Sequence, residues 1–148
     1  MRIVKFSSKH RRAFLATLRE SSPEFGKAWA LRMKEIFSAG YGEPYLLTFT
    51  VLEAGEPVAF FATRREVEAL VLYFIIIPKA QQGKGIGSAI VSFVEKMAKN
   101  DKAKFLRLDI YSGKPVLSFY KKLGFKVGGK VRFYEEENDD QTFLYKRV

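Results

Sequence analysis

Apolar and polar positions alternate over residues 2–6, as in a short strand, and the pattern then passes to the helical period. Ser7 and Ser8 offer N-caps to a first helix with Phe14, Leu15 and Leu18 along one side. Ser22 as cap and Pro23 at the first helical position predict a second helix, carrying Phe25, Trp29, Met33 and Ile36 or Phe37 until Gly40 stops it. From Tyr45 the period becomes two. Residues 45–52 and 57–63 flank the turn Glu53-Ala54-Gly55-Glu56 and read as an antiparallel hairpin, and Arg64-Arg65-Glu66 makes the next reversal. Residues 67–77 are so continuously apolar that they predict a central strand covered on both faces. Ile86, Ile90, Phe93 and Met97 form the buried face of a helix ending at Asn100-Asp101, and residues 105–110 are a strand again. With a helix between them, these two strands are expected to be parallel neighbours joined by a right-handed crossover. Residues 116–122 make a short helix closed by Gly124, and strands over roughly residues 125–134 and 142–146 complete the sheet. The expectation is an α/β (α+β) fold, a mixed and mostly antiparallel sheet with helices on both faces, as a single domain over residues 1–148.

Composition narrows the chemistry. Fourteen Phe, seven Tyr and one Trp in 148 residues can build a substantial core. Cysteine is absent and histidine occurs once, which excludes a disulfide framework and a thiol nucleophile and leads us to expect no metal. The N-terminal residues carry no apolar run with a cleavage site, and no apolar stretch reaches 18 residues, so a soluble, cytoplasmic protein with no membrane partner is expected. Charge is the outlier, at +10. Glu135, Glu136, Glu137, Asp139 and Asp140 fall in one short segment, leaving 26 cations against 11 acids elsewhere. That balance fits a Lys-rich solvated surface, a polyphosphorylated nucleotide or nucleic acid.

The stretch from Phe74 to Ile90 runs from the apolar strand through Gly83, Gly85 and Gly87 into a helix. Glycines let the backbone approach a ligand closely, and the first amides of a helix lack intrahelical acceptors, a combination that binds phosphate. A P-loop is excluded, because Ser88 stands where its second glycine is required. The dinucleotide fingerprint finds Gly83, Gly85 and an acid at Asp109, but its third glycine is also Ser88, and five residues separate Ile77 from Gly83.

Gln82-Gly83-Lys84-Gly85-Ile86-Gly87 satisfies the pattern [QR]xxGx[GA], and Phe119-Tyr120-Lys121-Lys122-Leu123-Gly124-Phe125 is similar to FYxKxGF. With both segments in this order, the chain resembles the GNAT superfamily of N-acetyltransferases, most clearly over residues 70–125. The resemblance implies a GNAT-like fold with a splayed parallel pair, and direct transfer of an acetyl group from acetyl-CoA to a primary amine. It implies that Gln82, Gly83, Lys84, Gly85, Ile86, Gly87 and Ser88 receive the pyrophosphate, while the backbone of Ile75, Ile76 and Ile77 pairs with the pantetheine arm. Tyr120 is implied as the acid that protonates the leaving thiolate. The edge around Trp29, Arg32 and Tyr41 is implied to border the acceptor. In place of the asparagine frequent before that tyrosine stands Ser112-Gly113-Lys114-Pro115, one residue shorter.

No general base matches the family pattern: the inward positions are Val71 and Tyr73, leaving Glu66, Glu68, Asp109 or water. Two rivals follow, a degenerate acyl-CoA-binding relative and a basic nucleic-acid module suggested by Phe60, Phe61 and Phe133. The lack of a recognition motif argues against nucleic acid as a partner. The charge argues against a polyamine acceptor and suits a protein or peptide amine, or a small amine with its own acid. A homodimer is left open.

Overall fold

The computed structural model describes residues 1–38, 46–111, 115–132 and 140–148, with the side chains of Glu24 and Phe25 outside the description. Expectations for Phe25, Gly40, Tyr41, Tyr45, Ser112-Gly113-Lys114, Phe133, Tyr134, Glu135, Glu136, Glu137 and Asp139 lie outside the described residues. Among the described residues, seven strands and four α-helices make a mixed α/β fold, and the strands, counted along the chain, hydrogen-bond in the order first, second, third, fourth, fifth, seventh, sixth, with the fourth and fifth parallel. Contacts gather the chain into two compact units, Met1–Arg64 with Phe74–Ile90, and Arg65–Tyr73 with Val91–Val148.

In the first unit, β1 (Arg2–Lys5) pairs antiparallel with β2 (Leu46–Glu53), which pairs antiparallel with β3 (Glu56–Arg65). Ala54 and Gly55 take φ of 49° and 84°, the left-handed pair that matches a two-residue hairpin to strand twist. Phe6, Phe14, Phe37 and Phe60 form an aromatic cluster, with Phe14 stacked on Phe37 at 4.2 Å and Phe6 edge-on to Phe37 at 5.0 Å. Facing the other way from β3, Phe61 stacks on Phe49 at 4.9 Å. Neither Phe60 nor Phe61 has any exposed surface, so these two of the aromatics that suggested base stacking are spent on the core.

The helices begin later and break elsewhere than the sequence pattern suggests. Ser7 opens one 3-10 turn, Ser8–His10, before α1 (Arg11–Phe25), and α2 (Lys27–Ile36) follows. His10 is buried, with Nδ1 accepting from the Ser7 N–H at 3.2 Å and from the Thr50 hydroxyl at 3.0 Å. Burial first, and then the Lys9 charge, hold its pKa below the ordinary 6.5. Pro23 lies inside α1 and does not start α2. Its missing N–H would orphan the Arg19 carbonyl, but the Ser22 hydroxyl donates to that oxygen at 3.2 Å, and the chain turns only at Gly26, φ 90°.

In the second unit, residues 69–71 of β4 (Ala69–Ile76) pair with residues 105–107 of β5 (Phe105–Tyr111), and the parallel ladder ends there. β7 (Gln141–Arg147) pairs along the whole of β5 from Phe105↔Arg147 to Tyr111↔Gln141, and takes β6 (Lys126–Val131) on its other side. Val67, expected to open β4, stands 94% exposed in the reversal, where Glu66 N–H bonds the Ala69 carbonyl at 2.9 Å. The helix α3 (Ile86–Asn100) buries Ile86, Ile90, Val91, Val94 and Ala98, while Phe93 and Met97 are half-buried at its margin. Lys146 ties this unit together: its Nζ meets Glu95 Oε1 and the Leu123 carbonyl, each at 2.8 Å.

Candidate active site

The strand that leads to the glycine turn is fixed from one side and open on the other. Phe74 and Ile76 are buried, whereas Ile75 and Ile77 are half-buried. Period-two geometry thus commits the side chains of Phe74 and Ile76 to the core and those of Ile75 and Ile77 to a partly open face. Trp29 lies 5.4 Å from the Phe74 ring and Phe37 5.7 Å from it, so α2 holds the strand at this point. α1 adds a second tie, because Glu20 Oε1 accepts the Lys79 backbone N–H at 3.3 Å. Neither Glu20 nor the contact of Trp29 with Phe74 is singled out by the sequence. The paired residues are 59 and 45 residues apart in the chain, beyond the reach of periodicity.

After Ile77 the chain makes a 3-10 turn, Lys79–Gln81, closed by Gln82 Nε2 donating to the Ile77 carbonyl at 3.0 Å. Gln82 therefore shapes the loop, and Lys84 braces it through Gln81 Oε1 at 3.1 Å. Gly83 and Gly85 then adopt φ of 76° and 80°, and no atom lies within 4 Å of a Cβ added at either. Both conformations favour glycine, and the space that side chains would fill is empty. Ala89 N–H makes the first helical bond, to the Gly85 carbonyl at 3.0 Å, so the amides of Ile86, Gly87 and Ser88 precede the ladder and are free to meet an anion.

In the second unit, Tyr120 sits on α4 (Val116–Lys122), 3% exposed, between Phe119 at 5.0 Å and Phe125 at 5.6 Å. Burial pushes its pKa up to about 12. The helix ends at Leu123, and a Cβ on Gly124 would meet Lys146 Cε at 3.3 Å, so the glycine makes room for the lysine stem. The acids considered as bases are engaged: Glu66 Oε2 with Arg107 at 2.8 Å, Glu68 Oε1 with Lys104 at 2.5 Å, both at the opening end of β4. Asp109 is an exposed residue of β5 and also has a partner. Among the described residues no three His, Asp or Glu side chains gather as metal ligands, and no helix is long and apolar enough to cross a membrane.

This fold is one that acetyltransferases share. An aminoglycoside 6'-N-acetyltransferase complexed with coenzyme A superposes with a TM-score of 0.79 at 16% identity, over 99% of this chain and 97% of that one. The ribosomal-protein-S18-alanine N-acetyltransferase from Escherichia coli gives 0.80 at 16% identity, over 99% and 93%. The ribosomal-protein-alanine N-acetyltransferase from Brucella melitensis gives 0.76 at 16%, over all of both chains. No curated protein matches the chain by sequence. The model of the acetyltransferase (GNAT) domain matches residues 19–138, and the chain belongs to that family.

Proposed function

We propose that the protein transfers the acetyl group of acetyl-CoA directly to a primary amine. The observation that carries this reading is the turn at Gly83 and Gly85, left-handed, open and leading into three unladdered amides. In the proposal those amides hold the pyrophosphate, and the backbone of Ile75 to Ile77 pairs with the pantetheine amides, a role that the early end of the β4–β5 ladder at Val71 leaves room for. The bound thioester supplies an acetyl group already activated for attack.

Tyr120 acts at the departing sulfur. With a pKa near 12 its hydroxyl is fully protonated at neutral pH and serves as a hydrogen-bond donor where thiolate charge develops. Full proton transfer from it to a thiol of ordinary pKa, about 8.5, is uphill, so the proton that the amine loses ends on the sulfur with Tyr120 as relay. Water takes the earlier proton, the one an ammonium acceptor loses to become a nucleophilic amine, consistent with Glu66 and Glu68 being held by cations. A protein or peptide amine is the acceptor that best suits a chain of net charge +10.

The test is a thermal melt with acetyl-CoA and, in parallel, NAD. A ligand at about a hundred times its Kd adds about 2.7 kcal/mol to the native state, a plain rise in Tm. A rise with NAD and none with millimolar acetyl-CoA would overturn the assignment in favour of a dinucleotide.

A further inference from the structure

The first nineteen residues contain Arg2, Lys5, Lys9, Arg11, Arg12 and Arg19, and no acid. Lys9, Arg11 and Arg12 are exposed around the turn whose inward residue is the buried His10. Cations therefore crowd the opening turn of α1, which has no acidic residue, at the end where the helix dipole favours anions. Arg2, Lys5, Lys9, Arg11 and Arg12 meet no carboxylate among the described residues, whereas Lys104, Arg107 and Lys146 each do. An anionic partner would relieve this repulsion.

The neighbouring backbone says what kind of partner. β1 is the first strand of the sheet order, so among the described residues one side of it carries N–H and C=O groups with no strand beside them, bracketed by the exposed Arg2 and Lys5. An extended peptide can take up such an edge as an added strand; a nucleic acid cannot. Base stacking is also missing here, since the nearby Phe6 and Phe14 are packed in the aromatic cluster. The surface is separate from the glycine turn: Glu20, which touches Lys79, lies nine residues along α1 from Arg11, about 13 Å at 1.5 Å per residue.

We propose that β1 and the opening turn of α1 bind an extended acidic peptide segment of a partner protein, added as a strand beside β1 with its carboxylates toward Lys5, Lys9, Arg11 and Arg12. This holds whether or not the chain acetylates that partner.

Fluorescence anisotropy with a labelled peptide alternating Glu and Val tests it, against a peptide alternating Lys and Val and an RNA hairpin. The acidic peptide alone should bind, with affinity falling about tenfold when salt rises from about 50 to about 300 mM. Arg11→Gln/Arg12→Gln should weaken it about tenfold, and Lys9→Glu/Arg11→Glu/Arg12→Glu should abolish it, while both variants keep the wild-type Tm rise with acetyl-CoA. Amide hydrogen exchange of residues 2–5 should slow in the complex. The proposal is overturned by absent binding, by preference for the RNA, by variants that bind as wild type does, or by unchanged exchange in β1.

Discussion

Placing one methyl group at Gly85 separates backbone strain from ligand exclusion. At φ 80°, with nothing within 4 Å of the new Cβ, Gly85→Ala meets no clash in the free protein and bears only left-handed strain, about 1–2 kcal/mol. For a chain of this length that lowers Tm by about 2–8 °C. Gly55→Ala is the matched control, since Gly55 sits at φ 84° with the same open surroundings, but in the β2–β3 hairpin. Both variants should melt lower by similar amounts. They should part when acetyl-CoA is added at about a hundred times the wild-type Kd. Wild type and Gly55→Ala gain about 2.7 kcal/mol, while a tenfold loss of affinity cuts the gain of Gly85→Ala to about 1.4 kcal/mol. Thermal melts with and without ligand, backed by titration calorimetry, give the comparison. If Gly85→Ala gains as much as Gly55→Ala, phosphate does not sit on this turn.

Two further perturbations test groups whose protonation the fold controls. Tyr120→Phe should lower kcat at least roughly 10²-fold in a thiol-release assay, with little change in coenzyme Kd; normal turnover would reduce Tyr120 to a core aromatic. The same variant carries a pH signature. Because Tyr120 ionises near 12 in the native state and near 10 when unfolded, its contribution is whole below pH 10 and is lost as pH rises through 12. Tyr120→Phe should therefore lose about 2–3 kcal/mol less stability than wild type over that interval in urea titrations, and parallel curves would refute the burial argument. His10 acts at the opposite end. Its folded pKa lies below 6.5, so its contribution is present above pH 6.5 and lost as pH falls toward the folded value. Between about pH 7 and about pH 5, wild type should lose more stability than His10→Gln, and equal losses would show that His10 does not titrate on unfolding.

Much of the core was legible because it depends on local pattern. The run into β4, the glycine turn and the opening of α3 are dictated by neighbours in sequence, and α4 with Gly124 is likewise local. What misled was hydrogen bonding that composition does not show, and contact at longer range. Ser22-Pro23 has the composition of a helix start, yet the Ser22 hydroxyl satisfies the carbonyl that proline abandons, and α1 continues to Phe25. Val67 extended an apolar run, but composition does not reveal that the Glu66–Ala69 bond already closes the reversal there. On α3, the helical spacing of large residues suggested Phe93 and Met97, whereas the smaller Val94 and Ala98 fill the buried line. In the candidate site the turn was readable residue by residue. Glu20 against Lys79 and Trp29 against Phe74 were not, since they depend on how the helix pair docks.

The position of β7 sets an order of events during synthesis. It lies between β5 and β6 and supplies hydrogen-bond partners to both, yet the ribosome makes it after both. Until residues 141–147 emerge, β5 lacks its partner along all seven of its residues and β6 has no strand to join. Domains fold as their parts leave the ribosome, and open strands seek partners while they wait. A chain cut before Gln141 therefore loses the β7 ladder of β5 and leaves β6 with no strand to join among the described residues. The contact of half-buried Lys146 with Glu95 and Leu123 likewise forms only once β7 is in place.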